Sequence, residues 1–309
     1  MRECRMRRSP GMRVNVCIPH YIQEQADPAC NPNGYGSLRK GATLKRSLAM
    51  GRCISSLLNL QRSARTALLN IATQQIDHWS NGGSPLEINI TVVTDGHHRL
   101  DDLLQHFGAR VQVIDVDLDD PRQLPLACRD HLINTGDGAD LLAYLEDDVV
   151  IDDPGFFDKQ LWFLEKTNHR FCLMPHRYER CDSGGLDRLL VDGPLAPSFI
   201  GQYAQPQTNA AKGAYAGTET VSFDITDNPH SGMFVVSGTQ ASTLRQRDLP
   251  RSGFVGPLET AATLTVLQNF PVMKPSLSNW TFLRIEHGHP SFLHYLNKLP
   301  TMSMDASQP

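Results

Sequence analysis

The segment Leu141-Leu-Ala-Tyr-Leu-Glu-Asp-Asp148 decides the predicted fold. Its first five residues form an unbroken apolar run of strand length, which is typical of a strand buried on both faces of a sheet. Three carboxylates follow directly, and in α/β sheets ligands collect at the carboxyl ends of strands. The segment therefore predicts a central strand that presents Glu146, Asp147 and Asp148 at a ligand-binding edge.

Short apolar runs alternate with helical patterns on both sides of this strand. Further strands are predicted at residues 13–18, 88–94, 111–116, 171–174 and 233–237. Helices are predicted at residues 43–79, 100–107, 239–247 and 257–269, and another begins near Pro154. Strands joined by helical crossovers predict an α/β, Rossmann-like fold with a mostly parallel central sheet flanked by helices.

The sequence changes in texture after about residue 180. Residues 181–230 are rich in Gly, Pro, Ala, Thr and Gln and show little periodicity, so we predict an irregular C-terminal half with a functional loop. We predict one domain at residues 13–300, divided into halves at residue 180. Residues 1–12 are predicted to be a flexible leader, and residues 301–309 a disordered tail.

Composition narrows the class of protein. The 309 residues carry 29 basic and 33 acidic side chains, a net charge of -4 that does not favour nucleic-acid binding. The longest strand-like apolar runs are too short to cross a bilayer, so no transmembrane segment is predicted. The seven cysteines include no CxxC pair, and several lie in apolar contexts. Reduced, buried thiols are expected, which favours a cytoplasmic location.

The acidic triplet has the chemistry of a metal site. Carboxylate oxygens are the ligands that Mg²⁺ and Mn²⁺ prefer, and such ions commonly bridge a substrate diphosphate. A nucleoside diphosphate leaving group concentrates negative charge that a divalent cation stabilises. The alternative is a solvated acidic turn between a strand and a helix.

The segment Tyr144-Leu-Glu-Asp-Asp-Val-Val-Ile-Asp-Asp-Pro-Gly-Phe-Phe157 resembles part of the N-acetylglucosaminyltransferase I family and related GT-A glycosyltransferases. In those enzymes a strand ends in Glu-Asp-Asp and Pro-x-Phe-Phe then opens a helix. The order of elements before it, including Ile90-Thr-Val-Val-Thr-Asp-Gly96, is also similar, and the resemblance covers about residues 13–175. It implies a GT-A fold, with a nucleotide-sugar-binding half at residues 13–180 and an acceptor-binding half at residues 181–300.

The resemblance also implies roles for individual acids. Asp148 would be the direct ligand of Mn²⁺ or Mg²⁺. Glu146 and Asp147 would hold the donor sugar and ribose, and Asp95 would contact the nucleobase. The alternative for Asp95 is a turn former in the Asp-Gly pair.

Candidates in the C-terminal half complete the expected site. Glu259 follows Gly-Pro at a predicted helix start and is the candidate catalytic base, although acids are favoured there by the helix dipole alone. His287 or His289 could bind the metal or the diphosphate, and His230 lies in a turn that resembles a sugar-facing one. Basic residues such as Arg46 and Lys274 could bind phosphate, but scattered basic residues on a helix usually form a solvated face.

These features together predict a metal-dependent glycosyltransferase. It would transfer a hexose-type sugar, with inversion, from a nucleoside diphosphate sugar (a UDP-sugar is favoured) to a saccharide or other hydroxyl acceptor. A nucleotidyltransferase is one alternative, but no Gly-rich phosphate loop follows the first strand. A non-catalytic sugar-nucleotide-binding protein of the same fold is the other.

Overall fold

The computed structural model describes residues 11–24, 41–183, 185–217 and 219–300. Residues 1–10 of the predicted leader and the whole predicted tail, 301–309, lie outside the described residues, as do Cys4 and Cys30. Met12, the last residue of the predicted leader, already pairs with Leu86 in the first strand.

The first half alternates strands with helices, as predicted. Its elements are β1 (Met12–Pro19), α1 (Ala42–Leu60), β2 (Arg65–Asn70), β3 (Gln75–Ser80), β4 (Leu86–Thr94), α2 (Asp101–Phe107), β5 (Gln112–Asp115), α3 (Leu124–Thr135), β6 (Leu141–Leu145), β7 (Val149–Val150) and α4 (Phe156–Lys166). The predicted strands at residues 13–18 and 88–94 are confirmed within two residues, and β6 has the predicted bounds.

The predicted helix at residues 43–79 is wrong beyond residue 60. Helix α1 ends at Leu60, and the rest of the segment forms the hairpin of β2 and β3. Arg62 ends the helix because its N–H donates to the Leu86 carbonyl, and its guanidinium pairs with Asp158 of α4. Leu68 and Ile71, which continue the helical stripe in the sequence, are exposed on the hairpin.

A five-stranded sheet in the order β13-β6-β1-β4-β5 forms the centre of the molecule, where β13 is Met233–Ser237. β6, β1, β4 and β5 are parallel, and β13 pairs antiparallel with β6. All five residues of β6 are buried, as expected for a strand covered on both faces. The predicted α/β class with a mostly parallel central sheet flanked by helices is confirmed.

Each face of this sheet has its own core. Val14 and Val16 of β1 point to the face where Ile54 and Leu57 of α1 are fully buried. The opposite face carries Tyr144 of β6, which packs with residues of α3 and with Phe234. Burial of a Leu or Ile side chain contributes about 1.5–3 kcal/mol. The two cores together hold the central sheet in place and so position the carboxyl ends of its strands.

The second half contains more strand than the sequence predicts. Its remaining elements are β8 (Cys172–Leu173), β9 (His176–Ser183), β10 (Leu186–Leu190), α5 (Pro197–Ile200), β11 (Gln207–Tyr215), β12 (Glu219–Ile225), α6 (Gly238–Arg245), α7 (Pro257–Glu259), α8 (Thr265–Leu267), β14 (Val272–Pro275) and β15 (Arg284–His287). A π-helical turn, Thr260–Leu264, joins α7 to α8. Four of these strands fall within residues 176–225, where Gly, Ala, Thr and Gln obscure the alternation that marks strands.

Two small sheets hold this half against the central one. β9, β15 and β7 belong to a sheet in the order β10-β9-β15-β7, so His287 at the end of β15 pairs with Val149, next to the acidic triplet. The second sheet has the order β11-β12-β14-β8. The C-terminal segment is thereby brought to the end of β6.

The described cysteines match the expected thiols. Cys17, Cys53, Cys128, Cys172 and Cys181 are all buried and free. Among the described residues, no helix has the length and apolar character needed to span a bilayer.

Candidate active site

The acidic triplet begins where β6 ends, and backbone hydrogen bonds hold it in place. The Glu146 N–H donates to the Gly232 carbonyl, and the Glu146 carbonyl accepts from the Val149 N–H. Glu146, Asp147 and Asp148 are only 8%, 7% and 6% exposed. A solvated acidic turn is therefore excluded, because all three carboxylates are buried.

Two glycines allow neighbouring segments to approach the triplet closely. Gly232 has φ +66°, and a Cβ there would lie 3.0 Å from Glu146 Oε2. A Cβ on Gly288 would lie 2.9 Å from the Asp148 carbonyl oxygen, which accepts the Gly288 N–H at 2.7 Å. The Gly of the His-Gly-His sequence is thus required for close contact between the C-terminal segment and Asp148.

Asp147 is held by two side chains from the first part of the chain. Buried His20 bonds Asp147 Oδ2 through Nδ1 at 2.7 Å. His20 Nε2 accepts the Leu100 N–H at 3.3 Å, so Nδ1 carries the proton and donates to Asp147. Arg46 of α1 donates to Asp147 Oδ1 at 2.5 Å. Each carboxylate oxygen of Asp147 therefore accepts a hydrogen bond from the protein.

Asp148 is only partly engaged. Its Oδ2 lies 3.1 Å from Arg46 Nη1 and 3.5 Å from His287 Nε2, whereas its Oδ1 is buried without a hydrogen-bond partner. Burial alone would raise the pKa of this carboxyl, but His287, Arg46 and Arg177 outweigh it and hold the pKa well below its usual range. Asp148 is thus an anion with one oxygen available to a ligand.

Glu146 behaves in the opposite way. Burial and the charge of Asp148 raise its pKa to about 8, against the opposing effect of Arg177. Its Oε1 is buried and has no hydrogen-bond partner. Two adjacent buried carboxylates with unequal pKa values and unpartnered oxygens are typical of functional rather than structural acids.

His287 is aimed at Asp148 by a second acid. Its Nδ1 bonds Glu179 Oε1 at 2.7 Å, and the Glu179 carboxylate also accepts backbone N–H groups of Ser291, Phe292 and Leu293. Burial opposes the imidazolium, but bonding to Asp148 and Glu179 raises the pKa of His287 to about 9. A carboxylate that fixes a histidine ring in this way is common behind metal-binding histidines.

A buried ionic cluster lies next to Glu146, and we call it the Asp192 cluster. Arg177 Nη2 donates to Asp192 Oδ1 at 2.9 Å, and Lys274 Nζ lies 3.3 Å from Asp192 Oδ2. Lys274 also donates to the His230 carbonyl at 2.7 Å. The charge of Arg177 lowers the pKa of Glu146, so the cluster and the triplet share one electrostatic environment.

His230 lies inside this environment, and its ring bonds a residue outside the acidic triplet. Its Nδ1 bonds the Thr263 hydroxyl at 2.8 Å. Burial, Arg177 and Lys274 lower its pKa to about 3, so the ring is neutral. A neutral imidazole there can hydrogen-bond a sugar hydroxyl, which leaves its predicted donor-binding role open.

The structure places the other candidates at different distances from the triplet. Glu259 is close enough for its charge to raise the pKa of Glu146, while its own Oε2 accepts the Gly256 N–H as a helix cap. Burial and Arg46 lower the pKa of His289. Asp95 directly follows β4 and accepts from the His97 and His98 N–H groups and from His98 Nδ1, as the turn interpretation requires.

Two adjoining cavities open at the triplet. A small one of about 80 Å³ is lined by the three acids together with Pro19, Arg46 and Leu258. A larger one of about 430 Å³ shares Pro19, Arg46, Asp147 and Leu258 with it. The remaining lining residues of the larger cavity are Tyr21, Gln23, Asp120, Pro121, Arg122, Leu124, Pro125 and Pro257. A largely apolar cleft that also carries charged groups suits a small amphipathic ligand.

The side chains fit a divalent cation held at one corner. Asp148 Oδ1 and Glu146 Oε1 are hard oxygen ligands without partners, and His287 is a third possible ligand. Within the described ranges, no group of three or more His, Cys, Asp or Glu side chains is arranged to enclose a metal ion. A cation here would need water or substrate oxygens, as Mg²⁺ does at phosphate sites.

Three site residues, His20, Arg177 and Glu179, were not identified from the sequence, and a fourth, Arg46, was only one of several possible phosphate ligands. His20 lies in the loop after β1, which was expected to border a nucleotide without any single residue being identified. Arg46 is in the pattern of an exposed helix face, yet its side chain is 15% exposed and contacts two acids. Arg177 and Glu179 lie in a segment without a recognisable pattern. Arg177 contacts Asp192 in an irregular loop, and Glu179 contacts His287, which is 108 residues away.

Comparison with known proteins gives weak matches. No protein-family model matches the sequence. No curated protein sequence matches it. Among solved structures, S. aureus TarS (residues 1–349) aligns at 10% identity and a TM-score of 0.42, over 85% of this chain and 58% of the matched one. GalNAc-T7 with UDP, GalNAc and Mn²⁺ aligns at 11% identity and a TM-score of 0.46, over 92% of this chain and 46% of the matched one.

This chain spans less than two thirds of the length of either matched protein. At these scores and identities, neither match identifies the family of this chain.

Proposed function

We propose that this protein is a metal-dependent glycosyltransferase that uses a nucleoside diphosphate sugar, with a UDP-sugar favoured. The observation that carries the proposal is the buried triplet at the end of β6. Asp148 Oδ1 and Glu146 Oε1 have no protein partner, and both residues face a cavity that continues into a larger apolar cleft. Buried charges are normally paired, so these oxygens indicate a bound cation and its substrate.

The proposed roles follow from the contacts. Asp148, with His287 or His289 beside it, would hold Mn²⁺ or Mg²⁺, and the bound metal would stabilise the charge of the leaving diphosphate. Glu146 and Asp147 would bind the donor sugar and ribose, and Asp95 would contact the nucleobase. The cleft beside Pro19 and Tyr21 would hold the nucleoside, and His230 would hold a donor hydroxyl.

Glu259 is proposed as the base of an inverting reaction. An acceptor hydroxyl oxygen forms a bond to the anomeric carbon while the bond from that carbon to the diphosphate oxygen breaks. The hydroxyl proton passes to Glu259, and the nucleoside diphosphate leaves with the bonding electron pair. Residues 181–300 would supply the acceptor side, in a domain that spans residues 13–300. The free, buried cysteines support our proposal that the protein works in a reducing compartment such as the cytoplasm.

The proposal is tested by thermal melting with a panel of nucleotide sugars, each with and without Mn²⁺. A ligand that binds only the folded state raises the melting temperature. We expect a shift with one donor that requires the metal, followed by transfer to an acceptor. No shift with any donor would contradict the proposal. A metal-dependent shift without turnover on any acceptor would favour the non-catalytic sugar-nucleotide-binding protein.

A further inference from the structure

Arg46 stands out among the basic residues of the site because it contacts the acids directly. It lies in the second turn of α1, and one of its nitrogens, Nη1, bonds both Asp147 Oδ1 and Asp148 Oδ2. Its side chain is 15% exposed. The same residue lines both the small cavity and the larger cleft. Arg46 therefore sits at the junction of the acids and the space available to a substrate.

A cation at Asp148 and the guanidinium of Arg46 would compete for the same negative charge. One oxygen of Asp148 is without a partner and the other is bonded to Arg46, so both cations would share one carboxylate. Two positive charges a few ångströms apart repel strongly where little water screens them. Binding of the metal should therefore weaken the hold of Arg46 on Asp148.

A diphosphate offers Arg46 a better partner once the metal is bound. The planar guanidinium matches phosphate oxygens with two parallel hydrogen bonds, which a single shared nitrogen on two aspartates does not exploit. A diphosphate held by the metal would reach the mouth of the cleft, which Arg46 already lines.

We infer that Arg46 alternates between two partners, the Asp147–Asp148 pair without the metal and the donor diphosphate with it. This inference rests on the proposed function and adds a residue to it. Arg46 stabilises the acids before the cation arrives and then binds the substrate. Because the donor draws Arg46 away from Asp148, donor and cation favour each other's binding by more than their direct contact.

The experiment measures Mn²⁺ affinity without any nucleotide, by the electron paramagnetic resonance signal of free Mn²⁺. Arg46→Met should bind Mn²⁺ about tenfold more tightly than the wild type, because the competing charge is gone. It should also bind UDP about tenfold more weakly at saturating Mn²⁺, measured by calorimetry. Arg46→Lys, which keeps the charge but loses the fork, should retain wild-type Mn²⁺ affinity and still lose UDP affinity.

Lys45→Met is the matched control, since it removes the same charge from the adjacent, exposed position of the helix. It should leave both affinities at wild-type values. Equal Mn²⁺ affinity in Arg46→Met and Lys45→Met would overturn the inference alone, provided that the wild type binds Mn²⁺ and a donor raises its melting temperature. Absence of Mn²⁺ binding and of any donor shift in the wild type would overturn the proposed function together with the inference.

Discussion

The acidic triplet and the Asp192 cluster are both buried, but they differ in how their carboxylate oxygens are partnered. Both oxygens of Asp192 face cations, Arg177 and Lys274, and these cations hold its pKa below the usual range although burial opposes ionisation. Asp148 and Glu146 each keep one oxygen without a partner. A fully paired buried carboxylate serves the fold, whereas an unpaired one costs stability and is retained for a ligand.

The largest expected effect comes from Asp148, which has a buried oxygen without a partner. Asp148→Asn removes the charge that would bind the cation and should reduce metal-dependent donor affinity at least about 100-fold. The melting temperature without ligand should fall only slightly, because the lost contacts of Oδ2 with Arg46 and His287 are partly offset by removal of the buried, unpartnered Oδ1. Calorimetry with and without Mn²⁺ measures the first effect, and a thermal melt measures the second. Unchanged Mn²⁺ dependence would remove Asp148 from the site.

Glu259→Gln tests whether the nearby helix-start acid takes part in chemistry. The Gln carbonyl can still accept the Gly256 N–H, so the helix cap should survive. Transfer should fall about 10²–10⁴-fold, as expected when a general base is removed, while donor affinity stays the same. Single-turnover kinetics at saturating donor would measure this. If transfer continues at the wild-type rate, Glu259 is only a cap.

A substitution in the fully paired Asp192 cluster should lower the stability of the fold. Asp192→Asn leaves Arg177 and Lys274 buried without their counter-charge and should lower the free energy of unfolding by about 3–5 kcal/mol. Urea denaturation measures this loss. Asp148→Asn in the same assay is the control. Equal losses of unfolding free energy in the two variants would contradict the distinction between the acidic triplet and the Asp192 cluster.

His176, which borders the Asp192 cluster, gives the smallest effect and one that depends on pH. Burial and Lys274 lower its pKa to about 4, and its Nε2 bonds the Pro275 carbonyl at 2.7 Å. The unfolded histidine has a pKa near the ordinary value of about 6.5, so the unfolded state binds the proton first. Stability is therefore complete above about pH 6.5 and is lost as the pH falls towards about 4.

His176→Gln keeps a donor to the Pro275 carbonyl without the titration. Between pH 7 and pH 5, the wild type should lose about 2 kcal/mol more unfolding free energy than this variant. Urea denaturation at the two pH values measures the difference. Parallel losses would show that His176 does not titrate in this range.

Local sequence pattern was sufficient for the elements that carry the site. β6 and β13 have the predicted bounds, because each is a short apolar run that is buried at every residue. The hairpin of β2 and β3 was predicted as helix because its exposed Leu68 and Ile71 extend the stripe of α1 by chance. The bond from Arg62 to Leu86 that ends the helix joins positions 24 residues apart, and no local pattern shows it.

For the candidate site, the sequence indicates the acids but not the residues that contact them. Glu146, Asp147 and Asp148 could be identified because they follow a buried strand, and Glu259 and His287 do lie close to them. His20 was not identified, and Arg46 was named only as one of several possible phosphate ligands, since both meet Asp147 only when β1 and α1 pack beside β6. The same limit applies to Glu179, whose bond to His287 spans 108 residues.

The most direct test of the central claim is an anomalous-scattering map of crystals grown with UDP and Mn²⁺. The proposed site predicts a manganese peak beside Asp148 Oδ1, with the diphosphate on its open side and Arg46 turned towards the phosphates. A manganese peak elsewhere, or UDP bound with no metal at Asp148, would contradict the assignment of the triplet as the metal site.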